Sequence, residues 1–502
     1  MTVARLSRVV FFAAVAVVAM ALVATLAWEA VTAFVRPLDG VEGEVLFEAD
    51  RLRAGLPLYT DVATGAADYG PIPARYLVLY PPVWPFFLSL VPAQLAFGVA
   101  RSVGFFAWFG LLAFIVARAP RKRRPACALG AAFAGGIWLL AFYGTSARPD
   151  GIAVFASGLA LERATRRSSG KFPSIDLVSG VLFGLAAWLK PNVVGLAPGA
   201  FVGAALAAVL AERGARSEVV RRIARAVIPG IAGVVLVSAL IAGALTSRTG
   251  SAWVEHLLAS TGQPPDVAHW IDQLVSRGPF VGLPLGFAAL VGLHGRKDPG
   301  AAIATGALLG AIAWCILCLS KIGSASNYLL EPCVAAVIVL ARADVPKLRV
   351  PPLVLAIVAL VQALWTGLAS WNSAREHVPL DRARAATIAN VRASCGAAPN
   401  DVVLADEPGL ELMMNGRIVQ TPFQATHSSR RGRWPVEAWM ADVSHPSARC
   451  LVMQDDLLER PLATVDVVHD RFSPELRRVL REHFELAYER TGYWVYRRRP
   501  SR

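Results

Sequence analysis

The sequence is short of charge. Only 17% of its 502 residues are Asp, Glu, Lys or Arg, while 55% are hydrophobic and the mean hydropathy is +0.50. Soluble domains carry about 25% charged residues, so this chain cannot coat a water-facing surface along its whole length. Cysteine is scarce too, at six. Cys127, Cys315, Cys318 and Cys333 lie in apolar runs, and Cys315 and Cys318 enclose only Ile316 and Leu317, with no second pair to complete a metal or redox site. The eight histidines are scattered, none at helical ligand spacing. No metal and no cofactor is therefore expected.

What the chain has instead is apolar length. Up to about Ser370, runs of 17–22 apolar residues recur between short charged or Pro/Gly-rich links. A helix of about 20 such residues crosses the roughly 30 Å hydrocarbon core of a bilayer. About eleven spans are expected, at 9–28, 101–117, 125–143, 151–162, 175–190, 192–211, 226–247, 279–293, 300–319, 328–341 and 350–370.

A net charge of +14 invites a nucleic-acid partner, so the location of the charge matters. With the N-terminus inside, the alternate links are Arg118–Arg124, Glu162–Lys171, Glu212–Arg225, His294–Asp298 and Arg342–Arg349. Together with Arg5 and Arg8 they hold 21 of the 31 Lys and Arg before residue 372. Positive charge gathered on the cytoplasmic side is what membrane insertion requires. The basic balance thus reports orientation, and no nucleic acid is expected.

Val83–Ala100 is apolar enough to span, but prolines at 81, 82, 85 and 92 interrupt it, and counting it as a span would put Arg118–Arg124 outside. It reads as one or two helices at the exterior interface, where Trp84, Phe86 and Phe87 are at home. Val9–Trp28 is long and has no convincing small-residue cleavage site, so it reads as an anchor helix. Residues 372–502 are another material, with 19 Arg, no Lys and 17 Asp or Glu. Asp401–Ala405, Cys450–Met453 and Tyr493–Tyr496 read as strands and Leu476–Glu489 as an amphipathic helix. The expected architecture is an all-α polytopic membrane domain (1–371) followed by a small α/β exterior domain (372–502). In that compartment Cys395 and Cys450 are expected to form a disulfide.

The chemistry concentrates in the first exterior loop, about 29–100. Asp39, Glu42 and Glu44 stand at the start of a helix opening near Gly43 and stopped by Gly55 and Pro57. Arg148-Pro149-Asp150, Lys190-Pro191-Asn192, Lys321 and Asn327-Tyr328-Leu329-Leu330-Glu331 lie at the same exterior level. Each alone could snorkel or pair; together, costly ionisable groups at one depth read as a site.

Glu42-Gly43-Glu44, Arg51 through Asp61 (RLRAGLPLYTD) and Leu79-Tyr80-Pro81-Pro82 resemble the first loop of GT-C-fold glycosyltransferases. These membrane enzymes include the protein mannosyltransferases and the bacterial lipid A aminoarabinose transferases. The Arg148, Lys190 and Asn327 segments match short pieces of bacterial members. The resemblance covers about residues 29–342. The family's first-loop Asp-Glu pair is broken here, since Val41 precedes Glu42. The resemblance implies inverting transfer of a sugar from a polyprenyl-phosphate donor to a lipid, glycan or protein hydroxyl at the outer membrane face. Glu42 would be the general base, with Glu44 and Asp39 next in line. Arg148, Asp150, Lys190, Asn192, Lys321, Asn327, Tyr328, Glu331 and Tyr80 would bind donor phosphate and substrate. It also implies an inner-membrane, multi-pass location, with the C-terminal domain extracytoplasmic. The rival class is a transporter or flippase of lipid-linked or envelope substrates, which Pro/Gly-broken helices also suit, although no segment repeats between the two halves. A third is a structural subunit whose exterior domain binds cell-wall polymer.

Overall fold

The structure is a computed structural model describing residues 2–32, 36–67, 70–169, 172–210, 216–261, 264–345, 350–398, 401–432, 434–454, 456, 458, 471–490 and 492–500. Four of the cations counted above on links expected to be cytoplasmic, Lys171, Arg213, Lys347 and Arg349, lie outside the described residues. The chain forms two compact units. The first comprises Met1–Ala33, Ala100–Ala244 and Pro265–Arg375, and the second Phe34–Val99, Leu245–Pro264 and Glu376–Arg502.

In chain order the helices are α1 (Val3–Thr32), α2 (Gly40–Arg53), α3 (Val83–Ser89), α4 (Ala93–Arg118), α5 (Arg124–Gly136), α6 (Trp138–Thr145), α7 (Asp150–Ser168), α8 (Leu177–Leu189), α9 (Leu196–Leu210), α10 (Arg216–Thr249), α11 (Ala252–Thr261), α12 (Val267–Gly295) and α13 (Pro299–Leu319). After a 3-10 turn at Ser326–Leu329 come α14 (Leu330–Arg342) and α15 (Pro352–Cys395).

Among the described residues six helices are long and apolar enough to cross a bilayer: α1, α4, α10, α12, α13 and the Pro352–Ile388 part of α15. The α5–α6 pair, bent by 78°, makes a seventh if it is one span. The remaining expected spans are helical but fall short of that test. Helices α8, α9 and α14 have 13, 15 and 13 residues, and α7 carries Glu162, Arg163, Arg166 and Arg167 in its second half. Of the eleven expected spans, six or seven therefore have spanning length among the described residues. Val83–Ala100 also divides differently from expectation. Pro92 ends the interfacial piece, and Ala93–Ala100 continues without a break into α4.

In the first unit close helix approach rests on small residues. A Cβ on Gly310 of α13 would stand 2.7 Å from the Gly199 Cα of α9, and one on Gly203 would stand 2.6 Å from the Ala302 carbonyl. Lipid is as apolar as leucine, so dense backbone packing replaces the hydrophobic drive that operates in water.

The second unit holds the sheet, made of β1 (Val402–Ala405), β2 (Ala448–Met453), β3 (Phe484–Arg490) and β4 (Tyr493–Arg498) in the order β1-β2-β4-β3. β1 and β2 are parallel, while β4 runs antiparallel to both its neighbours. Around them lie α16 (Pro408–Asn415), α17 (Pro422–Ser429), α18 (Val436–Ser444) and α19 (Pro474–His483). Both faces of β1 are buried. Val402 and Leu404 join Trp439, Phe472 and Leu476, whereas Val403 and Ala405 join Leu410, Met414 and Val452. That explains why the run lacks polar alternation. The expected helix over Leu476–Glu489 is half right: α19 stops at His483, and Phe484–Arg490 is a strand. Its residues pair with β4 across a hairpin whose Gly492 takes φ +73°. The Cys395–Cys450 disulfide is present, with Cα atoms 5.5 Å apart.

The first loop belongs to this same unit. Arg75 N–H donates to the Val419 carbonyl at 2.7 Å, and the Arg75 guanidinium pairs with Asp442 at 2.5 Å. Helix α2 is stacked on α16 through glycine. A Cβ on Gly409 would stand 2.5 Å from the Asp39 carbonyl and 2.7 Å from that of Leu38, and Gly43 meets the same backbone from the other side.

Two outcomes follow. Thiol labelling of unreduced, denatured protein is expected to count four reactive cysteines, rising to six after reduction. Gly409→Ala forces two carbonyls away and is expected to cost about 1–3 kcal/mol, as overpacking does. A lowered thermal midpoint of purified protein checks it.

Candidate functional site

In the first unit the sequence-predicted polar groups come together where helices break. Asp150 is the first residue of α7, behind Pro149 as N-cap. Lys190 ends α8 in extended backbone, and Pro191 keeps the helix from continuing. Asn327 sits in the 3-10 turn. Lys190 Nζ forms an ion pair with Asp150 Oδ1, and both side chains are 1% exposed. Asn327 Nδ2 donates to the same oxygen at 2.8 Å, and Arg148 Nε lies 3.7 Å from Asp150 Oδ2. The Arg148 guanidinium also lies over the Tyr143 ring, 5.2 Å from its centroid.

The neighbouring groups lock this arrangement. Asn192 Nδ2 donates to the Tyr328 hydroxyl at 2.9 Å, and the Asn192 carbonyl accepts from Trp314 Nε1 at 2.9 Å. The buried Glu331 carboxylate accepts the Gly195 and Leu196 N–H groups at 3.1 and 3.3 Å, satisfying two donors at the start of α9. Arg148, Asp150, Lys190, Asn192, Asn327, Tyr328 and Glu331 are thus one neighbourhood, whereas Lys321, just past the end of α13, is placed by a backbone bridge to Pro265.

In the second unit the carboxylates stand on α2. The helix opens at Gly40, three residues before the expected start. Asp39 is its N-cap, with Oδ1 accepting Glu42 N–H at 2.7 Å, while Glu42 Oε2 accepts Asp39 N–H at 3.2 Å. This reciprocal box leaves both side chains with fixed geometry. Glu42 and Glu44 are buried and Tyr80 is half-buried. Arg53 ties the end of α2 to the end of α3 by donating to the carbonyls of Leu88 and Val91 at 3.0 and 2.8 Å.

Sequence reasoning missed three groups. Glu48 is buried on α2 one turn beyond Glu44, and its helical spacing from Glu44 was the available signal. His256, on α11, is buried against residues 60 and 78, and nothing in its local sequence announces it. Glu29, at the end of α1, is buried and accepts from the Thr145 hydroxyl. Among the described residues no three His, Cys, Asp or Glu are placed to hold a metal ion.

No family model and no curated protein matches the sequence. The fold, however, is similar to solved structures. The chain is similar to the crystal structure of ArnT from Cupriavidus metallidurans bound to undecaprenyl phosphate. There the TM-score is 0.56 at 12% identity, over 95% of this chain and 97% of that one. It is also similar to the apo state of that protein, with a TM-score of 0.53 at 13% identity over 94% and 97% of the two chains.

The buried pair has a measurable consequence. Lys190→Ala leaves the Asp150 carboxylate without its closest cation, and breaking one side of such a pair costs about 3–5 kcal/mol. Adding Asp150→Asn is expected to recover most of the loss, as read from thermal midpoints of the two variants.

Proposed function

We propose that the protein is a membrane glycosyltransferase that moves a sugar from a polyprenyl-phosphate donor to an acceptor hydroxyl, with inversion. The observation that carries this reading is the buried Asp150–Lys190 pair, met by Arg148 and Asn327, within a GT-C fold. A neighbour of the same fold was crystallised with undecaprenyl phosphate, a polyprenyl phosphate.

The residue types match the reaction. A first-loop carboxylate, Glu42 before Glu44 or Asp39, takes the acceptor hydroxyl proton as that oxygen attacks the anomeric carbon. The new glycosidic C–O bond forms as the anomeric C–O bond to phosphate breaks, and the electron pair leaves on the lipid phosphate. Lys190, Arg148 and Lys321 supply the fixed positive charge that the departing phosphate needs. Asp150 and Asn327 hold Lys190 so that it need not reorganise at that moment. Tyr328, Asn192, Glu331 and Tyr80 shape the substrate surroundings. Arg and Lys richness on alternate links supports an inner-membrane, multi-pass protein with the N-terminus cytoplasmic and the reaction at the outer face.

Membrane vesicles supplied with radiolabelled polyprenyl-phosphate sugars test the reading. Label is expected to pass to an acceptor; label carried across the bilayer without transfer would favour a flippase instead. Glu42→Gln is expected to lower turnover by about 10²–10⁴, the usual worth of a general base, with insertion and expression intact. Turnover near wild type would remove Glu42 from that role. Lys190→Ala is expected to weaken use of the donor more than use of the acceptor.

A further inference from the structure

Two buried titratable side chains grip the backbone just before Tyr80. From α11, His256 Nδ1 accepts the Val78 N–H at 3.1 Å, while Nε2 lies 2.9 Å from the Thr60 carbonyl. A carbonyl only accepts, so Nε2 carries the proton and Nδ1 is bare. From α2, the Glu48 carboxyl accepts the N–H of Leu79, and its Oε2 is buried with no partner. Tyr59 connects the two. Its ring stands edge-on to His256 with centroids 5.3 Å apart, and it lies within the field of Glu48. Val78 and Leu79 belong to no strand, so these side chains take the place of a sheet partner for them. Tyr80, Pro81, Pro82 and then α3 follow directly.

We infer that Glu48 and His256 are positioning residues: they clamp Val78 and Leu79 and so set the place of Tyr80 for sugar transfer. The link to transfer rests on the function proposed above; the clamp itself does not.

The clamp fails in opposite directions with pH. Burial pulls the His256 imidazole below its ordinary value; the Thr60 carbonyl and the charges of Glu255 and Asp61 oppose this and are outweighed. Protonation would place an N–H on Nδ1 facing the Val78 N–H, two donors with no acceptor. Burial pushes the Glu48 carboxyl well above its ordinary value, against the pull of the Leu79 amide. Ionisation would strengthen the acceptor that Leu79 meets, but it would bury a charge beside Tyr59 with Oε2 unpartnered, and that cost is relieved only by drawing the carboxylate out to water and away from Leu79. On α2 itself Glu44 and Arg51 stand one turn either side. The grip therefore holds in a window bounded on the acid side by His256 and on the alkaline side by Glu48.

Hydrogen exchange of residues 76–82 in the purified full-length protein, corrected for intrinsic chemistry, reads the clamp directly. Wild type is expected to lose protection at both ends of the pH range. His256→Gln can accept from Val78 and donate to Thr60 without titrating, so it keeps protection and loses the acid limb. Glu48→Gln likewise loses the alkaline limb. His256→Ala and Glu48→Ala are expected to exchange about tenfold faster at every pH, near the worth of one hydrogen bond. In the transfer assay each glutamine variant is expected to lose the matching limb of the kcat profile, with the KM for donor unchanged. Flat protection across pH in wild type, or glutamine variants that keep both limbs, would overturn the inference. If wild type transfers no sugar while exchange behaves as described, the clamp stands and the glycosyltransferase reading falls.

Discussion

A charged pair removed from water governs the first unit. Lys190 and Asp150 have lost their hydration almost completely, and an unpaired charge in such surroundings would cost several kcal/mol. The helices are therefore obliged to break where they do. Pro149 starts α7 at Asp150, Pro191 ends α8 at Lys190, and the 3-10 turn brings Asn327 to the same oxygen. Replacing the pair by leucines would satisfy a membrane protein's packing at no such cost.

The second unit solves a different problem. Its helix α2 carries buried Glu42, Glu44 and Glu48 and is held by more than its two chain ends. The fixing comes from more than 300 residues away in sequence, where α16 meets α2 through the Gly43–Gly409 approach. α16 is itself pinned by Glu411, whose carboxylate accepts the N–H groups of Ala405, Val419 and Gln420 at 3.0, 2.7 and 3.0 Å. Burial raises the Glu411 carboxyl to about 8 against the pull of those amides. The disulfide from Cys395 to Cys450 ties the end of α15 to β2 beside the same sheet face. The C-terminal sheet and its helices thus serve as scaffolding for α2.

Much of this was legible because it follows from composition and local chemistry. Apolar runs between proline and glycine marked the helices, and the charge asymmetry of the links needed only counting. The break at Lys190-Pro191-Asn192 and the pairing of Arg148 with Asp150 were visible in a few adjacent letters. What escaped is equally physical. Ala93–Ala100 looked interfacial because it follows Pro92, yet a helix can begin one residue after a proline and run on into a span. Leu476–Glu489 read as one helix because its charges recur at helical spacing. From Phe484 onward the chain instead pairs with β4 across the Gly492 hairpin, a local strand-and-turn signal that the helical spacing of charges masked.

Glu48 and His256 were missed for a deeper reason. A side chain that serves a backbone amide leaves no mark at the residue it serves, since Val78 and Leu79 offer the same N–H as any other residue. Only the coordinates reveal that an extended segment without strand partners has borrowed two side chains to satisfy its donors. Buried backbone donors are obliged to find partners. Where a loop must be both irregular and rigid, its amides have to be met by side chains. Those side chains must be held in one protonation state to keep doing so. Burial that disfavours charge on both His256 and Glu48 is the condition under which an irregular segment leading to Tyr80 can hold still.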